Sequence, residues 1–198
     1  DYVCPFCYLG RESLSRYQET RDEELEINWQ PFDLRHGKRN PDGSIDHSVD
    51  DGKDDDYYEQ AKESVRNLQD KYDVEMELDL ATEVDSFNAQ IAAYYVAEHY
   101  PYETWLDFDE AVFAALWQAG RDIGDVDVLA DLAADVGVDP EEIHSALDDE
   151  MLREAIEAEW STAQRQGITG VPTFAYDGYA ARGAVPPEHL QRLVEGGE

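Results

Sequence analysis

Apolar residues recur along the chain with two different periods. Within residues 8–22, Leu14 and Tyr17 stand three apart in polar surroundings, the spacing of one helix face. Residues 25–32 alternate instead. Leu25, Ile27 and Trp29 are separated by Glu26, Asn28 and Gln30, and Pro31 stops the run, which predicts a half-buried strand. Helix then strand is half of a βαβ unit. Residues 35–56 are polar and rich in Gly, Asn and Asp, the composition of a long surface loop. The helical period then returns three times: residues 57–72 carry Ala61, Val65 and Leu68; residues 86–99 carry Phe87, Ile91, Tyr94 and Tyr95; residues 103–119 carry Leu106, Val112, Phe113, Leu116 and Trp117.

Capping residues punctuate the rest of this helical block. Asp125 opens a helix through Leu129, Leu132 and Val136 that stops at Gly137. Asp139-Pro140-Glu141-Glu142 opens another, with an aspartate at the cap and proline in the first turn, where its missing N–H costs nothing. A third runs from about Asp149 to Gln166, turns Leu152, Ile156 and Trp160 inward, and ends at Gly167. Strand chemistry follows. Thr173-Phe174-Ala175-Tyr176 and Tyr179-Ala180-Ala181-Arg182 flank Asp177-Gly178, a dipeptide suited to a two-residue hairpin because both central positions need positive φ. Pro186-Pro187-Glu188 opens a closing helix with Leu190, Leu193 and Val194. No internal repeat is evident.

Charge changes the picture of the surface. The 198 residues hold 47 acidic and 15 basic side chains, a net charge of -32, and the lysines are only Lys38, Lys53, Lys62 and Lys71. Binding to nucleic acid or anionic lipid depends on clustered Lys and Arg, so neither nucleic acid nor membrane is an expected partner. An acidic, lysine-poor surface is suited to a cytoplasm of molar salt, where the Debye length shrinks to about 3 Å and carboxylates stop repelling one another. A cytoplasmic location is the expectation, with export still open because the chain opens at Asp1 rather than Met. No run approaches the roughly 18 apolar residues of a membrane span. Asp46, Ser48 and Asp50 imitate a calcium loop, but Asp51 stands where such a loop needs glycine and no Glu closes it. The positive cluster of Arg35, His36, Lys38 and Arg39 reads as a solvated loop, with steering of acidic substrates as the alternative.

The candidate chemistry lies in Cys4-Pro5-Phe6-Cys7, which holds both cysteines of the chain. Three apart at the start of a helix, they lie about one turn apart on one face, close enough to join. Cys4 at the helix N-terminus is favoured as a thiolate by unpaired N–H groups and the helix dipole, which makes it the nucleophile, with Cys7 as the resolving thiol. A Cys-x-x-Cys pair alone also fits half a zinc site, or two incidental cysteines. Zinc needs two further ligands, and no two of His36, His47, His99, His144 and His189 stand three to five apart.

Four segments together carry a resemblance. Asp1-Tyr2-Val3-Cys4-Pro5-Phe6-Cys7-Tyr8-Leu9-Gly10, Pro31-Phe32-Asp33-Leu34, Gly120-Arg121-Asp122-Ile123-Gly124-Asp125 and Gly167-Ile168-Thr169-Gly170-Val171-Pro172-Thr173-Phe174 resemble, in order and over essentially the whole chain, the FrnE-like group of DsbA-family thiol-disulfide oxidoreductases. The resemblance implies an α/β, thioredoxin-like fold with an all-helical insertion: residues 1–53 and 153–198 form the thioredoxin-like domain and residues 54–152 the insertion. It implies Cys4 and Cys7 as the catalytic pair, a cis peptide at Val171-Pro172, and substrate contacts by Val171, Pro172, Thr173 and Phe6. Protein or peptide thiols are the implied substrates, with no cofactor beyond glutathione as a redox partner. Two departures stand out. Phe6 occupies the position of the histidine found in strongly oxidising relatives, and only three residues precede Cys4, so the strand expected to lead into the motif is largely missing. The rival readings are a glutathione-dependent isomerase or transferase, of the 2-hydroxychromene-2-carboxylate isomerase or kappa type, and a chaperone-like binding module without enzymatic activity.

Overall fold

The helical periods are met close to their expected places in a computed structural model of the chain, which describes residues 1–40, 43–50, 52, 55–77 and 84–196. Asp51 of the calcium-like run and the expected boundary at 53/54 lie outside the described residues. In chain order the helices are α1 (Pro5–Gln18), α2 (Asp55–Tyr72), α3 (Phe87–His99), α4 (Tyr102–Trp117), α5 (Val126–Asp135), α6 (Pro140–Leu147), α7 (Glu150–Arg165) and, after the hairpin β1 (Thr173–Tyr176) and β2 (Tyr179–Arg182), α8 (Pro187–Glu195). Three caps act as the sequence suggests. The carboxylate of Asp125 accepts from the N–H groups of Asp127 and Val128, that of Asp139 from Glu141, and that of Asp149 from Met151. In the hairpin, Asp177 and Gly178 take φ of 47° and 82°, and Tyr176 pairs with Tyr179. Among the described residues no helix is long and apolar enough to cross a membrane.

One contiguous core runs from Tyr2, Cys4 and Cys7 through Phe108 and Trp117 to Ile156 and Trp160, so the cysteine motif and the helical block share their buried surface. The centre of that block is α3. Ala89, Ile91, Ala92, Ala93 and Val96 are fully buried, and α4, α6 and α7 pack around it. A smaller cluster of Leu9, Val65 and Tyr72 seats α2 on α1.

Four expectations need correction. The segment 25–32 joins no ladder, and the sheet among the described residues is the two-stranded hairpin. The alternation is still real, since Leu25, Ile27 and Trp29 are half-buried and Glu26, Asn28 and Gln30 exposed. Alternation records a buried side, whereas a ladder needs a neighbouring strand. Side chains take that neighbour's place: the Gln18 amide exchanges two hydrogen bonds with the Leu25 backbone, at 2.7 and 3.2 Å, and the Ile27 N–H donates to Tyr102 Oη at 3.0 Å. This pairing also marks where α1 stops, at Gln18 rather than residue 22. Asp1 to Val3 form a turn rather than a strand end, with the Cys4 N–H donating to the Asp1 carbonyl at 3.3 Å.

The positive cluster also departs from expectation. Arg39 is neither solvated nor free to steer a substrate, because its side chain is 7% exposed and bound on every side. It donates to Asp33 at 2.7 Å, to both oxygens of Asp85 at 2.7 and 2.8 Å, and to the Gly43 carbonyl at 2.8 Å, with its guanidinium 4.7 Å from the Phe87 ring.

Candidate active site

Cys4 is the N-cap of α1, with extended backbone (φ −92°, ψ 113°), and Pro5 takes the first helical position. Its carbonyl accepts the N–H of Cys7 at 2.9 Å and of Tyr8 at 3.3 Å, so the first turn closes around the motif. Both cysteines are free thiols and nearly enclosed, 5% and 6% exposed. Their surroundings separate them chemically. The Cys7 thiol donates to the Cys4 sulfur; this, the positive charge of the amino group at Asp1 and the N–H groups of Cys7 and Phe6 together outweigh burial and draw the Cys4 pKa down to about 7. Burial, and donation to Cys4, push Cys7 well above its ordinary value.

The second wall is the turn before the hairpin. Val171-Pro172 is a cis peptide, and the Val171 carbonyl accepts from the Cys4 sulfur at 3.8 Å. That turn is tied in place by Thr173 Oγ1 donating to Gly170 O at 2.7 Å and by the Gly183 N–H donating to Pro172 O at 2.8 Å. Gly10 shows why α1 needs a glycine two turns into the helix: a Cβ there would meet Pro172 Cγ at 3.0 Å and Phe174 Cζ at 3.2 Å. The structure therefore brings Cys4, Cys7, Val171, Pro172 and Thr173 to one place. Phe6 is partly buried and packs against the smaller cluster of Leu9, Val65 and Tyr72, as do Val74 and Met76. A cavity of about 960 Å³ has walls that include Arg66, Asp73, Met76 and Gln118 but neither cysteine. Gln118 connects it to the motif by donating to Tyr8 Oη at 2.6 Å.

Sequence reasoning missed the polar groups beneath the thiols. Asp109, buried in α4, accepts from Tyr2 Oη at 2.9 Å and from Arg11 Nε at 2.8 Å, and burial together with this carboxylate keeps the Tyr2 phenol protonated. The indole of Trp117 donates to the Tyr2 carbonyl at 2.8 Å. Asp1, Ser86 and Gln90 form a second buried group. One signal was present: Ser86 and Gln90 stand four apart at the start of α3, the spacing of one helix face. Among the described residues no group of three or more His, Cys, Asp or Glu is arranged to hold a metal ion.

A dithiol at a helix N-terminus, facing a cis-proline turn, marks the thioredoxin-like class of proteins. The chain belongs to the DSBA-like thioredoxin domain family, which it matches over residues 1–195. It is 27% identical over 198 residues to the uncharacterized protein YwbO of Bacillus subtilis (strain 168), covering 98% of this chain and 92% of that protein. Its fold is similar to a probable DsbA oxidoreductase from Streptomyces coelicolor, with TM-score 0.77, 20% identity, and 99% and 86% of the two chains covered. It is also similar to a 2-hydroxychromene-2-carboxylate isomerase, with TM-score 0.75, 19% identity, and 98% and 89% covered. The fold is thioredoxin-like and mostly helical, with one small sheet among the described residues.

Proposed function

We propose that the chain performs dithiol-disulfide exchange on protein or peptide thiols, with Cys4 as nucleophile and Cys7 as resolving thiol. One observation carries this reading: at the start of α1 the Cys4 sulfur takes the Cys7 thiol's hydrogen bond and faces the Val171 carbonyl of the cis-proline turn at 3.8 Å, with its pKa drawn down to about 7 while burial pushes Cys7 well above its ordinary value. In the reducing direction the Cys4 thiolate attacks a substrate disulfide, forming a mixed disulfide and releasing one substrate thiolate. Cys7 then gives up its proton and attacks the Cys4 sulfur. The Cys4–Cys7 disulfide forms, the second substrate thiol leaves, and two electrons have passed to the substrate. Run backwards, the same steps oxidise a substrate dithiol.

Val171, Pro172, Thr173 and Phe6 would hold the substrate chain against Cys4. Glutathione is the proposed agent that resets the pair, and no other cofactor is required. The likeness to the isomerase is one of fold, and the second cysteine is what exchange chemistry needs and a single-nucleophile isomerase does not. Insulin reduction in molar KCl tests the proposal. The expected result is turnover by the wild type and its loss in Cys4→Ser; activity that survives Cys4→Ser contradicts it.

A further inference from the structure

Two buried hydroxyls that the exchange steps do not use hold the chain just after the hairpin. Tyr72, at the end of α2, and Ser13, in α1, are 2% and 0% exposed. Tyr72 Oη donates to the Ala184 carbonyl at 3.1 Å, and Ser13 Oγ to the Val185 carbonyl at 2.5 Å. Burial pushes the Tyr72 phenol above its ordinary value, so it keeps the proton it donates. Residues 183–185 lead straight back to the cis-proline turn. The Gly183 N–H donates to the Pro172 carbonyl at 2.8 Å, and the Val185 N–H to the Gly183 carbonyl at 2.8 Å. Whatever fixes Ala184 and Val185 therefore fixes the donor that holds Pro172. Tyr72 is itself fixed by α1, the helix that begins after Cys4: Arg16 donates to the Tyr72 carbonyl, its guanidinium lies 5.8 Å from the phenol ring, and that ring clusters with Leu9 and Val65. Removing either hydroxyl orphans a carbonyl in a partly buried place, a cost that the 183–185 segment can relieve only by shifting.

We propose that Tyr72, together with Ser13, is a positioning residue for the exchange reaction: its hydroxyl holds residues 183–185, and through Gly183 and Pro172 the Val171 carbonyl, where a polypeptide disulfide is aligned with Cys4. This rests on the reading of Cys4 as the nucleophile, and it gives α2, a helix that carries no thiol, a share in substrate alignment. The groups that draw the Cys4 pKa down sit at the start of α1, so the two hydroxyls act on alignment and leave the thiolate as it is. Orientation of the reacting groups is where a small displacement costs most, since attack on a disulfide needs the two sulfurs of the substrate in line with the thiolate.

The test mixes the reduced full chain, Tyr72→Phe and Ser13→Ala, in molar KCl, with a disulfide-bonded peptide and separately with dithiodipyridine, a small disulfide that needs no aligned backbone. Tyr72→Phe keeps the ring and loses the donor. It is expected to slow attack on the peptide roughly tenfold, with attack on dithiodipyridine and its pH dependence within about twofold of wild type. Ser13→Ala is expected to shift the same ratio of rates in the same direction. A merely loosened fold would change the small-disulfide reaction as well. Unchanged attack on the peptide, or equal changes with both disulfides, overturns the assignment. Should Tyr72→Phe not fold, Ser13→Ala decides alone: a loss confined to the peptide upholds the proposal, and no loss or an equal one overturns it. A wild-type chain inert toward both disulfides contradicts the exchange reading itself, and the proposal with it, and so is distinguishable from a failure of the positioning role.

Discussion

Cys4 and Cys7 are one helical turn apart, yet their surroundings drive them in opposite directions. With its pKa drawn down to about 7, the Cys4 thiol ionises as pH rises through neutrality, while Cys7, raised by burial, stays protonated. Alkylation by iodoacetamide, followed by peptide mass mapping, is therefore expected to label Cys4 first, with a rate that climbs through about pH 7, and Cys7 only at much higher pH. Equal labelling across the range would remove the basis for assigning a nucleophile. Gly10 is the second residue that matters at this scale. Gly10→Ala gains up to about 1 kcal/mol of helix propensity but crowds Pro172, so the net stability change is expected to be small. The exchange rate should fall, because the displaced turn carries the Val171 carbonyl that faces Cys4. Comparing urea midpoints with insulin-reduction rates separates the two effects. The cysteine pair was legible in the sequence because Cys-Pro-x-Cys confines both sulfurs and the helix start at once. Asp1 was not, since nothing in a chain of 47 acidic residues marks which carboxylate is buried.

At the scale of elements, the helices follow from local rules and the extended segments do not. Asp125, Asp139 and Asp149 fix helix starts through hydrogen bonds to their own next turn, so the sequence contains the whole cause. Residues 25–32 depend on what lies alongside, which no local pattern contains; they show the predicted alternation of burial and no ladder. The loop that follows is held by Arg39, whose partners Asp33 and Asp85 belong to different stretches of chain. Arg39→Ala leaves the Asp33 carboxylate buried without its cation, and a loss of about 3 kcal/mol in unfolding free energy is expected. Chemical denaturation measures it. A loss below about 0.5 kcal/mol, the range of an ordinary surface substitution, would show that the pairing carries no load.

For the whole molecule the dominant feature is charge. Among the described residues the buried carboxylates are Asp1, Asp33 and Asp109, so the acidic excess faces solvent. Self-repulsion of that surface opposes the compact state in dilute buffer and is screened at molar salt, where the Debye length is about 3 Å. Circular dichroism at falling KCl is expected to show loss of helix, and a fully native spectrum in dilute buffer would contradict a salt-adapted fold. The core adds a second property of the whole: Tyr2, Cys4 and Cys7 lie in the same cluster as Ile156 and Trp160, so the thiols are embedded in the helical block rather than standing apart from it. The central claim is that Cys4 attacks and Cys7 resolves. It is tested most directly by incubating the Cys7→Ser chain with a disulfide-bonded peptide in molar KCl and mapping the adduct by mass spectrometry. The account predicts a stable mixed disulfide on Cys4, absent from wild type because Cys7 releases it; no adduct on Cys4, or one that accumulates equally in wild type, would contradict it.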